Sequence, residues 1–187
     1  MKKTNLGLII VIAIIVIIAI ALISSYNGMV SKKENVDSKM SNLDVMLQRR
    51  ADLIPNLVST VKGYAKHEDE IIGKVTDART KLVNASSVEE KSSANNELSK
   101  SLNALMVVVE NYPDLKSSQN FTQLSDELAG TENRIAVARK DYNDAVNTYN
   151  TTIKKLPNSL FANMFGFEKA VYFEASEGSS EVPNVAF

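Results

Sequence analysis

The sequence LGLIIVIAIIVIIAIALI runs from Leu6 to Ile23 and contains no charged or polar side chain. As an α-helix, these 18 residues rise about 27 Å, which approaches the thickness of the hydrocarbon core of a bilayer. The apolar core of a cleaved signal peptide is usually shorter, at about 7 to 15 residues. The stretch therefore predicts a transmembrane anchor over residues 6–24, preceded by a basic flank at residues 1–5, and makes the lipid bilayer a partner.

Two features of the flanks bear on cleavage and orientation. Ala19-Ile20-Ala21 fits the small-residue pattern of a cleavage site, but Leu22-Ile23 continue the apolar run where a processed signal would turn polar. An uncleaved signal-anchor is therefore favoured over a removed leader. Positive charge favours the cytoplasmic side, and Lys2-Lys3 lie closer to the run than Lys32-Lys33. The sequence thus predicts a single-pass protein with a cytoplasmic N-terminus and an extracytoplasmic domain.

The composition after Ile23 suits one helical domain. About 160 residues remain, enough for a sizeable core, and the whole chain has only 7 Gly, 4 Pro and no Trp. The 21 basic and 22 acidic residues nearly cancel, which excludes the basic stripe that a nucleic-acid-binding protein needs. The absence of cysteine excludes disulfides and thiol chemistry.

Apolar residues recur at steps of three and four in four successive stretches, as they do on one face of an amphipathic helix. The first runs from Tyr26 to Lys66, the stripe of the second begins at Ile71, and the most regular stretch runs from Phe121 to Leu156. A capping pattern precedes the third stretch at Ser86 with Glu89 and the fourth at Asn120 with Gln123. The sequence therefore predicts an all-α fold: the transmembrane helix followed by an elongated antiparallel up-and-down four-helix bundle over residues 25–157.

Pro55 lies inside the first of these stretches. It removes one backbone donor and leaves the carbonyl of Ala51 without its helical partner. Either the helix kinks there, or it ends and restarts with Asp52 as a cap. The apolar stripe keeps its phase across the proline, which favours the kink, and Arg50 or Asn56 could then supply a donor.

The segment after Pro157 is rich in aromatic residues. An up-and-down bundle returns the chain to the membrane here, so residues 158–174 are predicted to form a juxtamembrane cap. The rings either pack on the open end of the bundle or enter the lipid interface, where aromatic side chains are favoured. The candidate contacts are Phe161, Phe165, Phe167, Tyr172 and Phe173. Residues 175–187, rich in Ser, Glu and Gly, are predicted to be disordered.

Catalytic motifs are sparse. His67 is the only histidine and precedes Glu68, so the Glu-x-x-His pattern of di-metal bundles is missing, as are a phosphate-binding loop and a Ser-His-Asp set. We predict no enzymatic activity, no metal and no cofactor. Two alternatives remain: a small-ligand sensor that signals through a partner, and, more remotely, an enzyme whose metal is held by carboxylates.

Two polar patterns are candidate interaction or structural motifs. One clusters around the proline and comprises Arg49, Arg50, Asp52, Pro55 and Asn56. These residues form either ion pairs inside the bundle or a surface that docks a partner. The other repeats after seven residues, as Tyr142-Asn143 and Tyr149-Asn150. We expect its rings to fill core layers while hydroxyl and amide groups satisfy one another.

Several blocks together resemble the LemA family. They are the stretch Gln48–Val58, Tyr112-Pro113-Asp114-Leu115-Lys116, Thr131-Glu132-Asn133-Arg134-Ile135, the two Tyr-Asn pairs, and Tyr172-Phe173-Glu174. The resemblance covers nearly everything from Tyr26 to Glu174 and adds Glu132, Asn133 and Arg134 to the candidate motif residues. It implies a protein of the bacterial cell membrane with an elongated helical bundle, and it supplies no reaction. A relative implicated in magnetosome membranes points toward membrane organisation.

These observations together predict a membrane-anchored scaffold or adaptor of the cell envelope. It would act through an unidentified protein partner or through self-association.

Overall fold

The structure is a computed structural model that describes residues 3–65 and 67–174, with side chains from residue 7 onward. The helices are α1 (Lys3–Tyr64), α2 (Asp69–Asn84), α3 (Val88–Val109), α4 (Pro113–Lys116), α5 (Gln119–Lys154) and α6 (Asn158–Phe161). No strand occurs in these two ranges. The fold is therefore all-helical, as the apolar periodicity predicts. The predicted disordered tail at 175–187 lies outside the described residues.

Helix α1 is 62 residues long and begins with the apolar run. It continues without a break through residues 24 and 25, where the sequence suggested a domain boundary. It also continues through Pro55, as the favoured interpretation requires, so the alternative in which the helix ends and restarts at Asp52 is wrong. From Leu8 to Ile23 its apolar side chains are exposed or half-buried. By length and composition, this is the one helix in the described chain that could cross a membrane.

Two compact units divide the chain. The anchor unit comprises Met1–Ser38 and Asp144–Ala170, and the core unit comprises Lys39–Asn143 and Val171–Phe187. Helices α1 and α5 contribute residues to both units. Each unit has buried apolar side chains of its own.

The core unit buries one stripe from each of its helices. Its interior side chains recur at the predicted steps of three and four: Leu43, Leu47, Ile54, Leu57 and Val61 of α1, Val75 and Ala78 of α2, Leu98, Leu102 and Leu105 of α3, and Phe121, Leu128 and Ile135 of α5. Helix α2 packs against α3 across a three-residue connection. On α2 the buried stripe begins at Ile72 rather than at the predicted Ile71, which is half-buried.

The helix caps fall one or two residues from their predicted positions. Ser87, rather than Ser86, caps α3, and Glu90 completes the capping box. The backbone N–H groups of Ser86 and Ser87 and the Ser86 hydroxyl donate to the Glu90 carboxylate and lower its pKa. At the start of α5, the Ser118 hydroxyl accepts from the N–H of Phe121 at 3.3 Å, so the predicted cap at Asn120 is wrong.

The anchor unit buries Met29 and Val36 of α1 together with side chains from the last turns of α5. The α5 side chains in this interior are Ala145, Val146, Tyr149 and Ile153. Leu156, placed in the core stripe by its spacing, is instead exposed, because α5 ends at Lys154. A turn follows α6, in which Gly166 adopts φ +75°, a conformation that glycine reaches without a steric penalty. The chain then runs on without regular structure to Glu174.

Candidate functional site

Arg50 forms a buried polar cluster in the core unit. Its side chain is 5% exposed, and Nη1 donates to Asn95 Oδ1 on α3 and to Glu132 Oε2 on α5, both at 2.7 Å. Burial lowers the pKa of Arg50, and the charge of Glu132 opposes that effect. Arg50 Nε has no hydrogen-bond partner. One guanidinium thus links three helices. Removing a partner of a buried charge of this kind destabilises the fold, because the charge is then left uncompensated.

The remaining members of the proline motif lie on the surface. Arg49, Asp52, Pro55 and Asn56 are exposed, and Gln48 donates to Asp52 at 2.8 Å. The structure therefore separates the motif. Arg50 belongs to the interior, as the ion-pair interpretation requires, while the other four remain accessible.

The carbonyl that Pro55 leaves without a donor is satisfied from α2. Arg79 Nε donates to the carbonyl of Ala51 at 2.8 Å, and Ala51 is the residue four positions before Pro55. The prediction that Arg50 or Asn56 serves this carbonyl is wrong. No sequence motif identifies Arg79 as this donor, because its role depends on the packing of α2 against α1.

The pairing of Arg79 with Pro55 can be tested with a double-mutant cycle. Arg79→Leu should destabilise the full chain by about 1 kcal/mol, since it orphans the Ala51 carbonyl. In a Pro55→Ala background, residue 55 regains its N–H and the same substitution should cost less. Urea unfolding in detergent micelles, followed by circular dichroism, measures both costs. Equal costs in the two backgrounds would contradict the assignment.

The first Tyr-Asn pair holds an extended segment of the core unit. Tyr142 donates to the carbonyl of Val171 at 2.8 Å. The Asn143 amide both donates to the carbonyl of Phe173 and accepts from its N–H, each at 2.9 Å. The Ser92 hydroxyl of α3 donates to the carbonyl of Glu174 at 3.2 Å, and the Phe173 side chain is 1% exposed. Residues 171–174 are therefore docked on the unit by their main chain and by one buried ring.

The second pair repeats the arrangement inside the anchor unit. Tyr149 donates to the carbonyl of Glu168 at 2.8 Å, and the Asn150 amide pairs with both the N–H and the carbonyl of Ala170 at 2.9 Å. Burial raises the pKa of the Tyr149 hydroxyl, as do the charges of Asp37 and Glu168. The expectation that hydroxyl and amide groups satisfy one another is wrong, because all four side chains bind main-chain atoms of the segment after α6.

We expect Asn143→Ala to destabilise the protein by about 1–2 kcal/mol, because it removes two hydrogen bonds and leaves the N–H and carbonyl of Phe173 unpaired. Amide hydrogen exchange of Phe173 should accelerate at the same time. Asn133→Ala is the matched control, since Asn133 is exposed on the same helix. A cost equal to that of the control would show that the amide does not hold the segment.

Aromatic rings gather at the C-terminal side of the apolar run, in the anchor unit. The Tyr26 ring meets Phe165 edge-on at a centroid distance of 5.3 Å and Phe167 at 5.7 Å. Phe161 contacts Phe165 at 6.5 Å, and Ser25 donates to the side-chain oxygen of Asn158. Three of the five candidate juxtamembrane rings therefore pack together beside α1. Tyr172 and Phe173 belong to the core unit.

An open groove of about 430 Å³ runs along one face of the core unit. Met46, Val137 and Ala138 supply its apolar surface, and its polar lining residues are Lys39, Asn42, Asn133, Arg134 and Asp141. Lys39 and Asp141 form an ion pair at 3.2 Å. Two of the predicted motif residues, Asn133 and Arg134, thus line an accessible groove, whereas their neighbour Glu132 pairs with the buried Arg50.

Acidic side chains in the described ranges mostly face solvent. Several form ion pairs with lysines, among them Lys74–Glu70 at 2.6 Å, Lys81–Glu97 at 2.6 Å and Lys91–Asp44 at 2.7 Å. No group of three or more His, Asp or Glu residues there could hold a metal ion.

These features define a class of protein. It is all-helical in the described residues and carries one candidate membrane helix, and its two Tyr-Asn pairs hold the segment after α6 by hydrogen bonds to the main chain. The sequence model of the LemA family matches residues 39–187, and the chain belongs to this family. Magnetosome protein MamQ 2 of Paramagnetospirillum magneticum is 33% identical over 88% of this chain and 70% of its own length. MamQ of Magnetospirillum gryphiswaldense is 30% identical, over 81% of this chain and 65% of its own length. Protein LemA of Metamycoplasma hominis is 27% identical, over 81% and 69% respectively.

Proposed function

We propose that this protein is a membrane-anchored helical scaffold or adaptor that organises the cell membrane or envelope through protein–protein contacts. The observation that carries the proposal is the apolar N-terminal run of α1, in which the most apolar 18-residue window of the described chain has no buried residue. Large apolar side chains along a full membrane thickness are unstable in water. The same helix continues without interruption into the core unit, so the anchor and the folded domain are joined by one continuous helix.

The proposal includes an architecture and a topology. We infer that α1, α2, α3 and α5 pack in the core unit as an antiparallel up-and-down bundle, which the short α2–α3 connection and the three-helix contacts of Arg50 support. One membrane crossing with the N-terminus in the cytoplasm follows from the basic residues before the run. Relatives named magnetosome proteins support a role in membrane organisation. A catalytic activity is not part of this proposal.

Anchoring is tested by placing charge inside the apolar run. Ile14→Arg should shift the protein from the membrane to the soluble or degraded fraction, because an arginine at the helix centre costs about 2.5–3.5 kcal/mol of insertion free energy. Val137→Arg, at an exposed valine of the core unit, is the control and should stay in carbonate-washed membranes. Full membrane retention of Ile14→Arg would contradict the anchor.

The scaffold role is tested by cross-linking at native abundance. A photo-reactive side chain at Val137, which lines the groove, should give discrete adducts with another protein or with a second copy. The matched control is the same probe at Val83, another exposed valine of the core unit. A protein that stays monomeric and forms no adduct at either position would overturn the scaffold proposal.

A further inference from the structure

The turn-rich segment of residues 156–165, in the anchor unit, presents large aliphatic side chains to the outside. Leu156 is 74% exposed, and Leu160 and Met164 are each 68% exposed. These three residues recur every four positions, while Ala162 between them is buried. The segment therefore has an inner face, which includes Ala162 and packs on the unit, while these three large apolar side chains stay exposed together with polar neighbours such as Ser159 and Asn163. We call it the interfacial loop.

The inner face fixes this loop beside the end of the apolar run. Ser25 donates to Asn158, and the Tyr26 ring packs on Phe165. Ser25 and Tyr26 follow Ile23 by two and three residues, which is about 3 to 4.5 Å along a helix axis. Headgroup regions extend several ångströms beyond the hydrocarbon core on each side. A helix that spans the bilayer with Leu6–Ile23 thus holds the loop at the level of the headgroups.

We propose that the interfacial loop is a second membrane contact, which inserts Leu156, Leu160 and Met164 into the headgroup–acyl boundary of the leaflet at the C-terminal end of the anchor. The partner is the lipid surface itself. Exposed Lys154 and Lys155 directly precede the loop and suit anionic headgroups. Aromatic rings packed behind the aliphatic face suit the same depth. The inference rests on the proposed membrane anchorage and adds a contact that restrains the anchor unit against the bilayer.

Depth-dependent fluorescence quenching tests this placement, because the chain has no tryptophan and a single introduced one reports alone. Full-length Leu160→Trp and Met164→Trp are reconstituted into vesicles of phosphatidylcholine and phosphatidylglycerol that contain lipids brominated at shallow or deep positions. Ile14→Trp, in the middle of the apolar run, is the reference for a position deep in the hydrocarbon core of the bilayer. Asn35→Trp is the aqueous reference, since Asn35 lies about 18 Å along α1 beyond Ile23.

The four variants separate the loop contact from the anchor. We expect Leu160→Trp and Met164→Trp to be quenched by shallow bromine several-fold more strongly than Asn35→Trp, and Ile14→Trp to be quenched most by deep bromine. Quenching at 160 and 164 equal to that at 35, with Ile14→Trp still quenched, would overturn the loop contact alone. An unquenched Ile14→Trp would overturn the anchorage and the loop contact together.

A second measurement guards against an effect of the introduced tryptophans. The chain has no cysteine, so Asn163→Cys can carry a single polarity-sensitive fluorophore on the loop. Its emission should shift to the blue on reconstitution. In a background of Leu156→Ser, Leu160→Ser and Met164→Ser the shift should disappear, while the thermal melting of the protein in detergent stays unchanged because these side chains are exposed. An equal blue shift in both backgrounds would overturn the proposal.

Discussion

Phe173→Ala should lower the free energy of unfolding by about 3–4 kcal/mol, the cost typical of removing a fully buried phenylalanine ring. The ring is 1% exposed, and both the N–H and the carbonyl of the same residue are hydrogen-bonded to the Asn143 side chain. Loss of the ring should therefore loosen the whole segment from residue 171 to residue 174. Urea unfolding of the full chain in detergent micelles measures the cost, and hydrogen exchange should show faster exchange of the Phe173 amide.

Val171→Ala is the matched control for this prediction. Val171 lies in the same segment with an exposed side chain, and an alanine keeps the carbonyl that accepts from Tyr142. The control should change stability by no more than about 0.5 kcal/mol. If Phe173→Ala costs as little as the control, the segment is not anchored by this ring.

The apolar stripes of the core unit were predictable because helical periodicity is a local property of the sequence. Leu98, Leu102 and Leu105 of α3, and Leu128 and Ile135 of α5, are buried where the steps of three and four place them. Errors of one residue occurred where neighbours are chemically equivalent. Ile72 is buried instead of Ile71, and Ser87 rather than Ser86 caps α3. Tertiary packing determines which of two such neighbours is buried or caps a helix, and the local sequence pattern does not indicate it.

The hydrogen bonds by which the two Tyr-Asn pairs hold the segment after α6 were not predictable in the same way. The repeat of Tyr142-Asn143 at Tyr149-Asn150 marks one helix face, but the partners are main-chain atoms, which carry no sequence signature. The available signal was the spacing. Seven residues of helix and three extended residues both cover about 10 Å, and Ala170 and Phe173 are three residues apart. For the same reason, composition grouped Phe173 with the juxtamembrane rings although the structure buries it in the core unit.

Polar side chains around the proline were recognisable as a group, but their individual roles were not. Arg50 and Arg49 are adjacent in sequence, and only the register of α1 against α3 and α5 decides which of them is buried. Arg79 lies 24 positions after Pro55 and satisfies the freed carbonyl through a tertiary contact. Long-range partners of this kind follow from packing, whereas the need for a donor followed from the proline alone.

Glu132→Ala should destabilise the protein by about 2–3 kcal/mol, because it leaves the guanidinium of Arg50 buried without a compensating charge. The side chain of Glu132 is half exposed, so solvent reduces the cost below that of a fully buried pair. Glu97→Ala is the control, since Glu97 pairs with Lys81 at the surface at a similar distance. It should cost less than about 0.5 kcal/mol. Urea unfolding in detergent micelles compares the two variants.

A second substitution shows whether the buried charge is the cause. Arg50→Met removes that charge while filling most of the same volume, so the double variant Arg50→Met/Glu132→Ala should be more stable than Glu132→Ala alone, by about 1 kcal/mol. The gain is limited because Asn95, itself buried, loses the donor for its Oδ1. If the double variant is instead less stable than Glu132→Ala, the cost of losing Glu132 does not arise from an uncompensated Arg50. The cluster would then act mainly through the packing of its side chains.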